Sequence, residues 1–344
     1  MKLVIDRAIP FIEGVFEPYA DTVVYKDGSA ICRDDLTDAD AMVIRSRTRC
    51  DETLLRGTAV KIISTATIGT DHIDSLYCND HSILTRKADG VSAGGVMNYV
   101  FSALYGTAAR KSIPLAGCTF GVIGAGNNGD RVLRMARDLG FSTLKCDPQK
   151  AALENGEGYC SLDHLLQNSD IVSLHVPLND STRGMADAYF FSKMRYGAFF
   201  INTSRGEVVV EQDLIEAIPK LGPVIIDTWI GEPHINRTLL SLTDIGTPHI
   251  AGYTYQCKLA TTAAAVKAIA RFFSIGALYD YFPQADKSFE AVKLDLQGAS
   301  QGRIAAAFQY NYPIFTDDFM FKMNPDGFEQ MRSAYQYRRE FYTD

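Results

Sequence analysis

Short apolar and β-branched runs recur along the chain, at residues 2–6, 22–25, 41–44 and 60–63, then at 120–123, 143–146, 171–175, 199–202, 224–227 and 244–246. Helical spacing fills most of the intervals. This alternation predicts an α/β protein: a small α/β domain first, then from Gly117 a doubly wound parallel sheet with helices on both faces. Two longer stretches rich in apolar and small residues predict buried helices. One, over 94–109, leads from the first domain into the second; the other, over 254–278, carries the chain back and makes the first domain discontinuous. After Tyr281-Phe-Pro283 the pattern shifts to aromatics and methionine, with an alternating run over 289–296 and a helical close over 326–341. The boundaries that follow are 1–93 with 254–282, then 94–253, then 283–344.

The strand at 120–123 runs into Gly124-x-Gly126-x-x-Gly129, and a helical pattern of Val132, Leu133, Met135, Ala136 and Leu139 follows. Strand, tight turn and helix in this order form the setting in which a dinucleotide pyrophosphate sits on a helix N-terminus. Gly124 permits the turn, Gly126 with Asn127 and Asn128 lets backbone approach the phosphates, and Gly129 allows close packing of helix on strand. A Gly-rich loop that only turns a corner explains the turn but not the acid that follows. Asp147 ends the next strand, 18 residues after Gly129, where a carboxylate accepts both ribose hydroxyls of NAD. A 2′-phosphate there would face like charge, costing roughly 4 kcal/mol at ~4 Å and an effective dielectric of ~20. The expected cofactor is NAD rather than NADP.

The chain has 344 residues, 47% hydrophobic and 22% charged, enough for two or three globular domains. A net charge of −7 and the lack of a dense Lys/Arg stripe argue against a nucleic-acid partner. No apolar run approaches ~18 residues, and Asp6 and Arg7 interrupt the opening one, so a soluble cytoplasmic protein without a membrane partner is expected. Seven scattered cysteines with no C-x-x-C pair read as reduced thiols, and the six histidines show no ligand spacing, so no metal is expected.

Three ionisable residues each follow a strand of the second sheet: Arg205 in Asn202-Thr-Ser-Arg-Gly206, Glu232 in Asp227-Thr-Trp-Ile-Gly-Glu-Pro233, and His249 in Thr247-Pro-His-Ile-Ala-Gly252. The carboxyl ends of strands in an open α/β sheet border one crevice, so the three converge there. A His paired with a carboxylate is a general base, and a guanidinium is a planar fork for a carboxylate. Beside a nicotinamide this set suits hydride transfer from a 2-hydroxy acid. Arg205 holds the carboxylate, His249 takes the hydroxyl proton and Glu232 holds and charges His249. Each has a plainer reading: a loop cation, a cap partner and a turn residue before Pro233.

These residues resemble the D-isomer-specific 2-hydroxyacid dehydrogenase family over about residues 1–280. The resemblance implies a Rossmann nucleotide domain inserted in a smaller flavodoxin-like substrate domain, with Arg205, Glu232 and His249 as the catalytic group. It also implies that His175 or Val176 lines the cofactor, that Asp227 lies near the nicotinamide carboxamide and that Gly252 offers backbone beside it. For His175 a buried strand-end histidine is the rival reading. Ile44-Arg-Ser-Arg-Thr48, Ser64-Thr-Ala-Thr-Ile-Gly-Thr-Asp-His-Ile-Asp74, Asn98-Tyr-Val-Phe-Ser-Ala-Leu104 and Ile245-Gly-Thr-Pro-His-Ile-Ala-Gly-Tyr-Thr254 resemble a branch of that family acting on 4-phospho-D-erythronate. That match implies a phosphorylated small-molecule substrate bound by Arg45, Ser46, Thr67 and Tyr253. Turn chemistry for Ser46 and Thr67 and a surface salt bridge for Arg45 are the alternatives. Tyr335-Gln-Tyr-Arg-Arg-Glu-Phe341 resembles the closing helix of an extra C-terminal α+β domain that serves homodimerisation. Asp89-Gly-Val-Ser-Ala93 departs from the family's usual Cys-Asn loop beside the cofactor. Competing readings are a phosphoglycerate- or glyoxylate-type dehydrogenase and a non-catalytic NAD-sensing interaction protein.

Overall fold

The computed structural model describes residues 1–343, and the chain divides into two compact units. The first joins Met1–Val91 to Tyr255–Glu290; the second joins Ser92–Thr254 to the residues from Ala291 on.

The first unit holds five parallel strands, β1 (Lys2–Asp6), β2 (Thr22–Lys26), β3 (Ala41–Ile44), β4 (Ile62–Thr65) and β5 (Leu84–Lys87), in the order β2-β1-β3-β4-β5. That order is the flavodoxin-like one. β3 and β4 are buried along their whole length, as a strand covered on both faces must be. β4 ends two residues beyond its apolar run because Ser64 and Thr65 are strand residues. Their buried hydroxyls find the carbonyls of Ala265 (3.3 Å) and Ile44 (3.4 Å). β5 has no apolar run to announce it, since as the edge strand its Arg86 and Lys87 face solvent. The helix Tyr255–Phe272 packs Ala265, Val266, Ile269 and Ala270 on Leu3, Ile5 and Val43. It is shorter than expected: the chain turns left-handed at Ser274 (φ +58).

The second unit holds β6 (Thr119–Ile123), β7 (Ser142–Cys146), β8 (Ile171–Leu174), β9 (Phe199–Asn202), β10 (Val224–Ile226) and β11 (Ile245–Gly246), all parallel, in the order β11-β10-β9-β8-β6-β7. From β6 the chain goes outward to β7, then crosses back to β8 on the other side. This reversal opens a crevice beyond the carboxyl ends of β6 and β8, where a doubly wound sheet binds its ligand. The helix Ala93–Arg110 is buried from Gly95 to Ala108, and the helix Asn127–Asp138 follows β6.

The residues from Ala291 on cluster with this second unit. Phe308, Tyr312, Ile314 and Phe341 enter one core with Tyr99, Phe101, Leu104 and Phe120, and burying each Phe or Ile side chain stabilises the unit by roughly 1.5–3 kcal/mol. The Gln301 side chain bridges the backbone of Ile113 and Leu115 (2.8 Å each). Asp318 accepts from the Gly246 N–H (2.7 Å), and Lys322 donates to the Thr243 carbonyl (2.8 Å). The expected closing helix over 326–341 is reduced to Phe328–Ser333. Residue 341 is held extended because Asn98 takes both its N–H (3.0 Å) and its carbonyl (2.8 Å), and β13 (Phe341–Tyr342) pairs in parallel with β12 (Val292–Lys293).

Candidate active site

The turn after β6 has the geometry its glycines require. Gly124 sits at φ +88, and a Cβ there would lie 2.7 Å from the His175 carbonyl and 2.9 Å from Val176 Cγ1. A Cβ on Gly129 would meet the Gly124 carbonyl oxygen at 2.0 Å. At Gly126 nothing lies within 4 Å of that position. Gly126 caps the helix Asn127–Asp138 with no side-chain acceptor, so no cap residue satisfies the first-turn N–H groups. Asp147 stands beside this turn and accepts from the Ala125 N–H (2.9 Å) and the Lys150 N–H (3.0 Å). Each carboxylate oxygen keeps a second lone pair for a ribose hydroxyl. An uncapped helix end, a gap no side chain fills and an adjacent carboxylate fit a dinucleotide. Ser92, in the loop that departs from the family pattern, donates to the Asn128 side chain (3.2 Å), so this loop reaches the same turn.

His175 follows β8 and pairs through Nε2 with the Ser173 hydroxyl (2.9 Å), with Thr203 Oγ1 at 3.5 Å from Nδ1. The residue keeps some surface, yet its ring lies deep enough that desolvation pushes its pKa down to about 3. It is a neutral side chain at physiological pH, suited to packing rather than proton transfer.

His249 and Glu232 are brought together: Nδ1 of the imidazole lies 2.8 Å from Glu232 Oε2. The other Glu232 oxygen accepts from the Trp229 N–H (2.9 Å). Burial by itself raises the Glu232 pKa. The His249 imidazole, the Trp229 N–H and the Arg332 guanidinium together outweigh it and hold the carboxyl below its usual range. With Glu232 accepting at Nδ1, the lone pair of His249 is left on Nε2. His249 sits at φ +56, an unusual conformation for a non-glycine residue, and its loop is fastened to Asp227. The Asp227 carbonyl accepts from the His249 N–H (2.7 Å), and its carboxylate accepts from Thr247 Oγ1 (2.6 Å), Ile250 N (2.8 Å) and Ala251 N (2.9 Å). Asp227 is fully buried, which raises its pKa. A contact with a carboxamide would share a carboxylate already taking three donors.

Arg205 follows β9 and donates through Nη1 to the Ser204 carbonyl (2.7 Å). The Asn202 side chain shapes this turn, donating to the Arg205 carbonyl and accepting from the Ser204 N–H (3.0 Å each). Gly206 lies directly on Trp229, where a Cβ would come within 2.0 Å of the Trp229 carbonyl carbon. The loop that carries Arg205 therefore rests on the backbone that holds Glu232. A Cβ on Gly252, three residues after His249, would make an ordinary 3.4 Å contact with Ser92 Cβ.

The Tyr253 ring is enclosed by the tail, with Tyr335 at 6.0 Å, Tyr337 at 6.4 Å and the Arg332 guanidinium at 5.6 Å from its centre. In the first unit, Arg45 donates from Nε to the buried Asp6 carboxylate (3.0 Å), so the surface salt bridge is replaced by an anchored one. Ser46 is exposed beside it. The Thr67 hydroxyl donates to the Gly69 carbonyl (2.8 Å) and meets Thr65 Oγ1 at 2.7 Å, which is turn chemistry. Sequence reasoning missed Asp6, Asn202, Gly206 and Arg332. Only Gly206 carried a signal, as the glycine closing the Asn202-to-Gly206 turn. Among the described residues no group of three His, Cys, Asp or Glu could hold a metal ion, and no helix is long and apolar enough to cross a membrane.

Residues 98–251 match the model of the D-isomer specific 2-hydroxyacid dehydrogenase, NAD binding domain. The chain is 38% identical to an erythronate-4-phosphate dehydrogenase of Bacteroides fragilis, over 99% of this chain and 97% of that protein. Among solved structures it is similar to the NAD+-bound 3-phosphoglycerate dehydrogenase of Entamoeba histolytica, with 27% identity, a TM-score of 0.67 and coverage of 83% of this chain and 99% of the other. It is likewise similar to the D-lactate dehydrogenase of Aquifex aeolicus complexed with NAD and lactic acid, with 25% identity, a TM-score of 0.64 and coverage of 83% and 100%.

Proposed function

The chain belongs to the erythronate-4-phosphate dehydrogenases of the D-isomer specific 2-hydroxyacid dehydrogenase family, and from that premise we propose that it oxidises 4-phospho-D-erythronate to 2-oxo-3-hydroxy-4-phosphobutanoate in pyridoxal phosphate biosynthesis. It is an NAD-dependent dehydrogenase. NAD, when bound, supplies the acceptor for the hydride that leaves C2. Gly124, Gly126, Asn127, Asn128 and Gly129 offer backbone to its pyrophosphate, and Asp147 offers acceptors to its ribose. His175, Val176, Asp227 and Gly252 border the same strand ends. His249 takes the C2 hydroxyl proton on Nε2, and Glu232 stabilises the imidazolium that results. Arg205 orients the substrate carboxylate. Arg45, Ser46, Thr67 and Tyr253 bind the phosphate and hydroxyl groups.

The observation that carries this reading is the 2.8 Å His249–Glu232 pair in the unit that holds the dinucleotide turn. The test offers purified protein 4-phospho-D-erythronate and 3-phosphoglycerate, with NAD or NADP and with a 2-oxo acid to reoxidise any tightly held NADH. Turnover of the first acid with NAD is expected; turnover of 3-phosphoglycerate alone, or equal use of NADP, rejects the substrate or the role of Asp147.

The protein acts as a cytoplasmic homodimer on this reading. No disulfide joins any of its seven cysteines, which suits a reducing compartment. The helices Gln301–Asn311 and Ile314–Met323 leave Tyr310, Phe319, Met320 and Met323 more than half exposed, an apolar set that suits a partner face. Light scattering should give a dimer mass, and Phe319→Glu should shift it to the monomer; a monomeric wild type removes the proposal.

A further inference from the structure

Arg45 is a half-buried loop residue with an unusual anchor. Asp6, at the end of β1, is fully buried, and its two oxygens have one partner each: Oδ1 accepts from the Ala8 N–H (2.9 Å) and Oδ2 from Arg45 Nε (3.0 Å). β1 and β3 are parallel neighbours, so Asp6 and Arg45 leave the sheet side by side. The floor beneath the carboxylate is Gly28, where a Cβ would stand 2.6 Å from Asp6 Oδ2 and 3.1 Å from Thr48 Oγ1. Thr48 closes the wall by donating to the Gly28 carbonyl (2.9 Å). A buried carboxylate this tightly enclosed fixes the long side chain paired with it. The bond to Asp6 is made through Nε, which leaves the two terminal nitrogens, the fork that suits an anion, uncommitted to that carboxylate. The neighbouring acid, Asp27, takes the Ser29 N–H (3.1 Å) and hydroxyl (2.8 Å) on its Oδ1, and the charges of Arg47 and Arg45 help hold its pKa low.

We propose that Asp6 is a positioning residue that holds the Arg45 guanidinium by its Nε, so that its two terminal nitrogens present a preformed fork to the phosphoryl group of the substrate. An arginine free to rotate would lose that freedom on binding; Asp6 has already removed it on folding. Phosphate accepts two parallel N–H donors, which a lysine in the same place does not offer. The inference rests on the proposed substrate, and its test is arranged to separate the two.

The experiment measures kcat and KM of the full chain for 4-phospho-D-erythronate and for unphosphorylated D-erythronate, and the protection that inorganic phosphate gives against thermal unfolding. Asp6→Asn should raise KM for the phosphorylated acid by about 10- to 100-fold with kcat nearly unchanged, the range expected when a charge-assisted hydrogen bond is lost. The unphosphorylated acid should be affected no more than about twofold. In an Arg45→Ala background the same change should add nothing. Gly28→Ala, which displaces the carboxylate without altering charge, should act like Asp6→Asn. Should both buried-site variants fail to fold, Arg45→Lys decides, since it keeps the charge that pairs with Asp6; it should lose phosphate preference. An unchanged KM, equal losses on both acids, or an Asp6 effect that persists undiminished without Arg45 overturns the inference. If the wild type does not oxidise 4-phospho-D-erythronate, the substrate reading fails separately, and phosphate protection lost in Arg45→Lys still upholds the fork, whereas protection retained overturns it.

Discussion

Replacing His249 by alanine should lower kcat by at least ~10²-fold while NAD still binds, because the variant removes the group that accepts the hydroxyl proton in the transition state. The structure separates the two functions. The dinucleotide turn is built on β6 and β8, whereas His249 sits on the loop after β11, fastened by Asp227. Alanine carries a second penalty, since position 249 has φ +56 and a side chain without a local hydrogen-bonding group tolerates that region poorly. Asparagine tolerates it better, so His249→Asn should lose the same ~10²-fold in kcat with less loss of thermal stability than alanine. Steady-state kinetics with calorimetric NAD binding checks both; near-normal turnover in either variant removes His249 from proton transfer.

Gly206→Ala should lower kcat/KM by about 10²-fold without touching any group that reacts, because misplacement of a catalytic group by ~1 Å is enough for a loss of that size. The added Cβ would lie 2.0 Å from the Trp229 carbonyl carbon and 2.3 Å from the Ile230 nitrogen. Both are backbone atoms and cannot swing aside, so the loop itself must move. Arg205 precedes the substituted residue, and the Trp229 N–H holds Glu232, so the shift disturbs the substrate fork and the acid together. NAD affinity should stay within a few-fold of wild type, as the fingerprint turn lies on other strands. A kcat/KM within about threefold of wild type would show that this contact does not set the position of Arg205.

What was legible in the chain was what local chemistry announces. β6, β8 and β9 are covered on both faces, so their apolar runs stand out; β5 is a solvent-facing edge and left no such run. Glu232 and His249 were recognisable because each directly follows a strand of the same sheet, and the crevice rule brings such residues together. The tail departs from its helical pattern for a physical reason. Helical spacing over 326–341 is outweighed by the two hydrogen bonds that Asn98 makes to residue 341 and by the draw of Tyr335 and Arg338 towards the buried Asp317 carboxylate (2.9 and 2.7 Å). Asp6 and Arg332 escaped notice because each matters through a partner distant in sequence, Arg45 for one and Glu232 for the other. No periodicity encodes such pairings.

The Asp318 carboxylate on the Gly246 N–H has a consequence for how far the chain can be trimmed. β11 is the last strand on its side of the sheet, and an outward-facing donor on a border strand is an invitation for another chain to stack against it. Here a carboxylate from the tail answers that donor, and Lys322 answers the nearby Thr243 carbonyl, so the border is sealed from within the same molecule. A shortened version ending before Ile314, although it would retain every catalytic group, would expose that seam and its bared aromatic core, and insolubility rather than a minimal working enzyme is the outcome to anticipate.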